Sequence, residues 1–143
     1  MKKLFFTLVS LCAATTLGAT TMTSMTKDEV ISTFAGNTIT TIPLSTIDAQ
    51  LIPNRITIYL DKSNKATGKL DTKPESNVQA DEGTWTVSDD GALCITWQHW
   101  NEAKPFCDFA YNANNSFIFI NAEGDFISLA LKKNITPGNQ FTQ

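Results

Sequence analysis

The chain has 143 residues, a length typical of one domain, and 42% hydrophobic with 17% charged residues is an ordinary composition for a globular protein with a core. The formal net charge is −3, and the basic residues outside the N-terminal segment are scattered, with Lys132-Lys133 as one adjacent pair. Because an acidic surface repels phosphate backbones, we expect no nucleic-acid partner, and no apolar stretch beyond the N-terminal segment is long enough for a membrane span.

The first 19 residues have the pattern of a secretory signal peptide. A short positive segment, Met1-Lys2-Lys3, precedes an apolar run at residues 4–14, and Ala19 ends a stretch of small residues that suits cleavage. The run is too short for a membrane anchor, which needs about 20 apolar residues. We therefore predict an exported protein, periplasmic or secreted, whose mature chain begins at residue 20.

Export decides how the cysteines are interpreted. Cys12 lies inside the apolar run and would leave with the signal peptide, so the mature chain keeps Cys94 and Cys107. In an oxidising compartment two such cysteines are expected to form a disulfide. A metal site would need more ligands than two cysteines and one histidine, and a redox pair usually has C-x-x-C spacing, so we expect no metal and no other cofactor.

One short helix and about eight strands are predicted in chain order. Thr26 and Glu29 form a capping box, Val30 and Phe34 follow on one face, and Gly36-Asn37 ends the helix. Beyond this point β-branched and aromatic residues alternate with polar ones, between Asp-Gly, Asn-rich and Glu-Gly turns. The predicted strands are residues 37–42, 55–61, 65–71, 84–88, 92–97, 106–111, 116–121 and 126–132.

Even spacing and short turns place strands that are neighbours in sequence side by side in a sheet. We therefore predict a mainly β fold, a small antiparallel meander barrel of about eight strands, formed by residues 20–133 and followed by a flexible tail at 134–143. Eight strands allow either a filled barrel or one that holds a small ligand. Alternation of Phe117 and Phe119, and of Ile127, Leu129 and Leu131, favours the filled barrel.

The hairpin around Asp90-Gly91 has two possible registers. A two-residue turn would place Cys94 on the same face as Trp85 and Val87. A three-residue turn at 89–91, with Gly91 left-handed, would instead place the large apolar residues of both strands together on one face. We prefer the second register. The residues it gathers are Trp85, Val87, Leu93, Ile95 and Trp97.

The next hairpin is constrained by the predicted disulfide. A cross-strand bridge requires Cys94 and Cys107 to lie nearly opposite each other, which makes residues 98–103 the tip of the hairpin. Trp97 then points into the core and Trp100 toward solvent. The opposite face of the second strand, with Phe109 and Tyr111 beside the cysteine, is too apolar to be bare, so we expect the helix to cover it.

The tip at residues 98–103 is the most site-like feature of the sequence. It carries the one histidine, His99, and an aromatic neighbour beside a bridge that would hold them rigid. A lone exposed histidine is usually plain polar surface, and Trp100 could instead fold back over the bridge as part of the core. We predict a binding protein that contacts a small hydrophobic molecule or a protein partner at the barrel mouth or tip, as a monomer. The predicted contact residues are Trp97, His99, Trp100 and Tyr111.

Other kinds of chemistry have weaker support. Asp89-Asp90 and residues 123–125 lack the alternating oxygen ligands of a calcium loop, and turn chemistry explains them. A Ser-His-Asp arrangement would depend on His99 alone, without a nucleophile-elbow motif. The alternative function is a carboxylate-based hydrolase of the envelope or extracellular space, with two acids meeting across the barrel mouth. No catalytic residue is identified, and an enzyme is not our prediction.

One segment resembles a known family. The arrangement G-x-W-x-V-x-x-D-G-x-L-C-x-x-W runs from Gly83 to Trp97 and is followed by Cys107, and it is similar to a bacterial family of small exported proteins filed as domain of unknown function 995. The helix leading into Gly36-Asn37-Thr38 resembles the opening of the same domain. The resemblance implies export and a lipocalin-like β fold and carries no established activity.

Overall fold

The structure, a computed structural model, describes residues 22–44, 46–47, 50–51, 55–71 and 79–142. The predicted signal peptide at residues 1–19 lies outside the described residues. The described elements are α1 (Lys27–Phe34), β1 (Asn37–Pro43), β2 (Thr46–Ile47), β3 (Gln50–Leu51), β4 (Ile56–Leu60), β5 (Lys65–Leu70), β6 (Ala80–Val87), β7 (Ala92–Trp97), β8 (Pro105–Ala113), β9 (Ser116–Ile120) and β10 (Phe126–Pro137), with 3-10 turns at Trp100–Ala103 and Gln140–Thr142.

Eight of these strands form a closed antiparallel barrel. Its order is β1-β10-β9-β8-β7-β6-β5-β4, and β1 closes it by pairing with both β10 and β4. The remaining two, β2 and β3, pair with each other in the connection between β1 and β4. This confirms the predicted mainly β meander barrel with a short N-terminal helix. Within the described ranges, no helix is both long enough and apolar enough to cross a bilayer.

The helix α1 closes one end of the barrel. Its capping box is present: Glu29 Oε2 accepts from the Thr26 N–H at 2.8 Å, and Thr26 Oγ1 accepts from the Glu29 N–H at 3.4 Å. Phe34 is fully buried, with ring centroids 5.2 Å from Phe117 and 5.8 Å from Phe119, two residues that face the barrel interior. The apolar face of the helix therefore extends the core at what we call the closed end.

The expectation that the helix covers the outer face of β8 is wrong. Phe109 and Tyr111 stay half-buried on that face, while the helix is tied to the turns at the closed end. Lys27 Nζ lies 2.8 Å from Asp89 Oδ1 in the turn between β6 and β7. The helix instead packs Phe34 against Phe117 and Phe119, which removes this side chain completely from water.

The two predicted hairpin registers are confirmed. Trp85 lies opposite Ile95 in β6 and β7, and Gly91 has a φ of 93°, as a three-residue turn requires. A Cβ on Gly91 would also lie 2.4 Å from the carbonyl oxygen of Met25, so glycine serves both the turn and the approach of the chain before α1. In β7 and β8 the two cysteines are direct partners.

The last strand differs from the prediction in length. β10 continues past Lys132 to Pro137, and its final residues pair with the start of β1, for example Asn37 with Pro137. Thr38 Oγ1 then donates to the Gly138 carbonyl at 2.7 Å. The described part of the predicted tail at 134–143 is thus strand and 3-10 turn, because the first half of β1 needs a partner on that side.

The last strand also differs from the prediction in the face it turns inward. Leu129 and Leu131 were expected to fill the barrel, but Ser128 and Ala130 occupy the inner face, with Ser128 opposite Phe119. A bulge between positions 126 and 128 inserts one extra residue and so reverses the alternation. Small side chains on the inner face of β10 therefore leave space between the described residues of the barrel interior.

Candidate functional site

The end of the barrel opposite α1, which we call the open end, holds an apolar cavity of about 520 Å³. This volume is in the range of sites that enclose small organic ligands. The predicted filled barrel is therefore correct at the closed end and wrong at the open end, where inward residues such as Thr41 and Ser128 are too small to meet. Its larger lining residues include Ile58, Leu93, Ile95, Trp97, Trp100 and Phe119.

Two of the four predicted contact residues meet in the cavity wall. Trp97 is buried as expected, but Trp100 does not point to solvent: it is half-buried, with its ring centroid 4.9 Å from that of Trp97 in an edge-to-face arrangement. Gly68 on β5 makes room for both indoles, since a Cβ there would lie 2.6 Å from each ring. The glycine thus lets the tip fold over the mouth of the barrel.

The backbone of the tip explains why strand alternation failed to place Trp100. Asn101, Glu102 and Ala103 have φ values of 53°, 54° and 56°, three consecutive residues in the left-handed region without a glycine. Each such residue costs about 1–2 kcal/mol relative to the right-handed conformation. Such strain persists only where the surrounding structure enforces it, and it is typical of functional loops.

A buried carboxylate, Asp81, anchors the two residues that precede this left-handed stretch. Asp81 on β6 is 4% exposed, and its Oδ2 accepts from the backbone N–H groups of His99 and Trp100, both at 2.8 Å. Its Oδ1 lies 2.9 Å from His99 Nδ1 and 2.9 Å from the backbone nitrogen of Glu82. Burial alone would raise the pKa of Asp81, but these hydrogen bonds outweigh burial, and the pKa lies below its usual value.

His99, the third predicted contact residue, lies on the hairpin tip as expected but outside the cavity wall. Its side chain is 63% exposed, its ring is held by Asp81, and it is not among the described residues that line the cavity. The fourth, Tyr111, lies on the outer face of β8 beside Ser24 near the closed end. The structure therefore brings Trp97 and Trp100 together at the cavity and separates Tyr111 from them.

Replacing Asp81 with alanine is expected to lower the free energy of unfolding by about 2–4 kcal/mol, because several buried donors lose their acceptor. Since the folded pKa lies below that of the unfolded chain, the contribution of Asp81 is complete above about pH 4 and is lost at lower pH. Thermal unfolding at pH 7 measures the effect, with Glu82→Ala as the control because that carboxylate is exposed on the same strand. Equal melting points for the two variants would contradict the role given to Asp81.

Asp108 is a feature of the cavity that sequence reasoning missed. It lies on β8 opposite Leu93, is 6% exposed and contributes to the cavity wall. Its Oδ1 atom has no hydrogen-bond partner among the described residues, and burial raises its pKa to about 7. No other described residue of the cavity wall is ionisable.

The signal that could have revealed Asp108 was present in the sequence. If Cys94 lies opposite Cys107, the next pair is Leu93 with Asp108, and Leu93 had been placed on the inner face. Residues opposite each other on paired strands share a face, so the carboxylate had to point inward.

The predicted disulfide is formed behind the cavity wall. The sulfur atoms of Cys94 and Cys107 are 2.08 Å apart, and the two Cα atoms are 4.0 Å apart. Both residues belong to the outer face of their strands, so the bridge fixes β7 to β8 where these strands lead into the tip. In the part of the chain that the structure describes, no three His, Cys, Asp or Glu side chains form a group suited to a metal ion.

Comparison with known proteins assigns no function, so the function is inferred from the geometry of the site. No family model matches the sequence, and no curated protein or solved structure is significantly similar to it. The resemblance of the segment ending at Cys107 to domain of unknown function 995 stays a prediction.

Proposed function

We propose that this protein is an exported binding protein that takes up a small, mainly apolar molecule in the open end of its barrel. The observation that carries the proposal is the cavity of about 520 Å³, whose wall is largely aliphatic and aromatic. A cavity of this kind, with a few polar groups in an apolar wall, is the usual form of a small-molecule site. Burial of the ligand's apolar surface would supply the main part of the affinity.

Binding has better support than the alternative, a carboxylate-based hydrolase. Hydrolysis of a glycosidic bond by this chemistry needs two carboxyl groups on opposite sides of the reacting bond. Among the described residues of the cavity wall only Asp108 carries a carboxyl group. Asp81, the other buried acid, already has its two oxygen atoms occupied by hydrogen bonds within the tip.

Two further observations support export and the monomeric state. The disulfide between Cys94 and Cys107 is the form expected in an oxidising compartment outside the cytosol. Closure of the barrel between β1 and β10 pairs the edges that open sheets use to associate with other chains.

The test is a titration that follows tryptophan emission, since Trp97 and Trp100 lie in the cavity wall. Naphthalene and 1-octanol, two neutral apolar probes, should each produce a saturable change. Ser128→Phe places a ring inside the cavity and should weaken binding by about tenfold or more, a loss of roughly 1.4 kcal/mol. The matched control is Leu129→Phe, which adds a similar ring to the outer face of the same strand.

Two results would contradict the proposed site. One is the absence of any saturable change with either probe in folded protein. The other is equal affinity in Ser128→Phe and Leu129→Phe, which would place the probe outside the barrel.

A further inference from the structure

We propose that the cavity selects amphiphilic molecules that carry a basic amino group, and that Asp108 binds the ammonium group inside the barrel. The inference rests on the proposed function, because it names the chemistry of the ligand for the same cavity. It is carried by one juxtaposition among the described residues: a buried carboxyl oxygen of Asp108 has no hydrogen-bond partner, and the other described residues of the cavity wall carry no charge.

The position of Asp108 is unusual for a structural residue. Asp108 is almost fully buried, yet its Oδ1 atom finds no donor among the described residues. Buried polar atoms in folded proteins nearly always have hydrogen-bond partners, and each exception requires an explanation. Alanine or serine would fit the fold at this position without the cost of desolvating a carboxyl group. A ligand that donates to Oδ1 removes this cost.

The surroundings of Asp108 favour a cation as that ligand. Leu93 faces it from β7, and Phe119, Thr41 and Ser128 line the same cavity from β9, β1 and β10, so none of these elements offers a titratable or charged group there. An ammonium group donates up to three hydrogen bonds and neutralises the carboxylate. The indoles of the wall add a surface that attracts cations. A carboxylate ligand would be repelled, and an alcohol would supply a single neutral hydrogen bond.

The pKa of Asp108 gives the proposal a pH signature. Burial raises this pKa to about 7, so the empty cavity contains a neutral acid at pH 5 and mainly a carboxylate at pH 8. An alkylamine stays protonated over this range, since the model value for lysine is about 10.4. The affinity for an amine should therefore rise between pH 5 and pH 8, while the affinity for a neutral alcohol should change little.

The experiment compares octylamine, 1-octanol and octanoate, which share one chain length and differ in the head group. Dissociation constants from tryptophan emission are measured at pH 5 and pH 8 below the micellar range. At pH 8 octylamine should bind about tenfold more tightly than 1-octanol, because one charge-assisted hydrogen bond contributes an affinity difference of about this size. Octanoate should bind most weakly of the three. In Asp108→Asn this preference should disappear, because the affinity for octylamine falls to about that for 1-octanol.

The control variant is Glu123→Gln, which removes one negative charge from the exposed turn between β9 and β10 at the same end of the barrel. It should keep the preference for the amine. If it loses the preference as Asp108→Asn does, general attraction to an acidic protein explains the result and the proposal is overturned.

The remaining outcomes separate this inference from the proposed function. Equal binding of octylamine and 1-octanol at pH 8 overturns the role of Asp108 and leaves the cavity as a site for neutral molecules. Absence of saturable binding for all three probes overturns the proposed function itself. Should Asp108→Asn fail to fold, the wild-type protein decides: an amine-to-alcohol affinity ratio that does not change between pH 5 and pH 8 overturns the inference.

Discussion

Replacement of Asp108 by asparagine is expected to raise the free energy of unfolding at pH 8. The folded-state pKa of about 7 lies above the value of about 3.9 in an unfolded chain, so between these values the folded protein holds a proton that the unfolded chain has lost. Because the folded protein holds this extra proton, its free energy of unfolding falls as the pH rises between the two pKa values. The decrease is complete above about pH 7. Asparagine has nearly the same shape and no charge to desolvate.

The expected gain in the free energy of unfolding follows from the difference between the folded and unfolded pKa values of Asp108. About three pKa units correspond to about 4 kcal/mol at most, and water at the cavity mouth should reduce this to roughly 2 kcal/mol. For a domain of this size we expect the melting point at pH 8 to rise by about 5–10 °C. At pH 4, where the acid is protonated in the folded state and about half protonated in the unfolded chain, the two proteins should melt at similar temperatures.

Thermal unfolding at pH 4, 5, 6, 7 and 8 measures this prediction, with Glu123→Gln as the variant that removes an exposed charge. Stability of the wild type should fall through this range more steeply than that of Asp108→Asn. A variant that is less stable than the wild type at pH 8 would mean that the carboxylate makes a stabilising contact, and the prediction would be wrong.

Removal of the disulfide is expected to produce the other large change in stability. Cys94 and Cys107 are separated by 13 positions, and in the chain-entropy model closing a loop of that size contributes about 3 kcal/mol. Reduction, or the double substitution Cys94→Ala with Cys107→Ala, should therefore lower the melting point by roughly 10 °C. The tip should also become less ordered, since the bridge joins the two strands that hold it.

The measurement is thermal unfolding with and without a reductant. The double alanine variant provides the control, because its melting point should not respond to reductant. An unchanged melting point of the reduced wild type, or free thiols in the native exported protein, would show that the bridge has no stabilising role.

Residues whose placement depends on local pattern could be predicted from the sequence. Alternation gave the eight barrel strands, Thr26 and Glu29 gave the start of α1, and Gly91 gave the turn between β6 and β7. The pairing of Cys94 with Cys107 then fixed the register of the next hairpin. In each case the physical cause lies within a few residues or in one covalent link.

Residues whose placement depends on distant contacts could not be predicted from the sequence. Asp81 holds a tip that lies 18 positions further along the chain, and its backbone partners carry no sequence signature. Trp100 turns inward because three left-handed residues follow it and because Gly68, on another strand, leaves space. The bulge near Ser128 reversed the inner face of β10, so the cavity itself could not be foreseen.

The pairing of β1 with β10 has a consequence for how the protein folds. Thr38 Oγ1 donates to the Gly138 carbonyl across 100 positions, so the seam of the barrel cannot form until β10 reaches β1. Contacts of such long range are slow to form because the intervening chain must lose much of its freedom first. Until then β1 and β9 present free edges, which are the usual sites of aggregation in nascent β proteins. The rate of folding should therefore depend on how fast β10 pairs with β1 and β9.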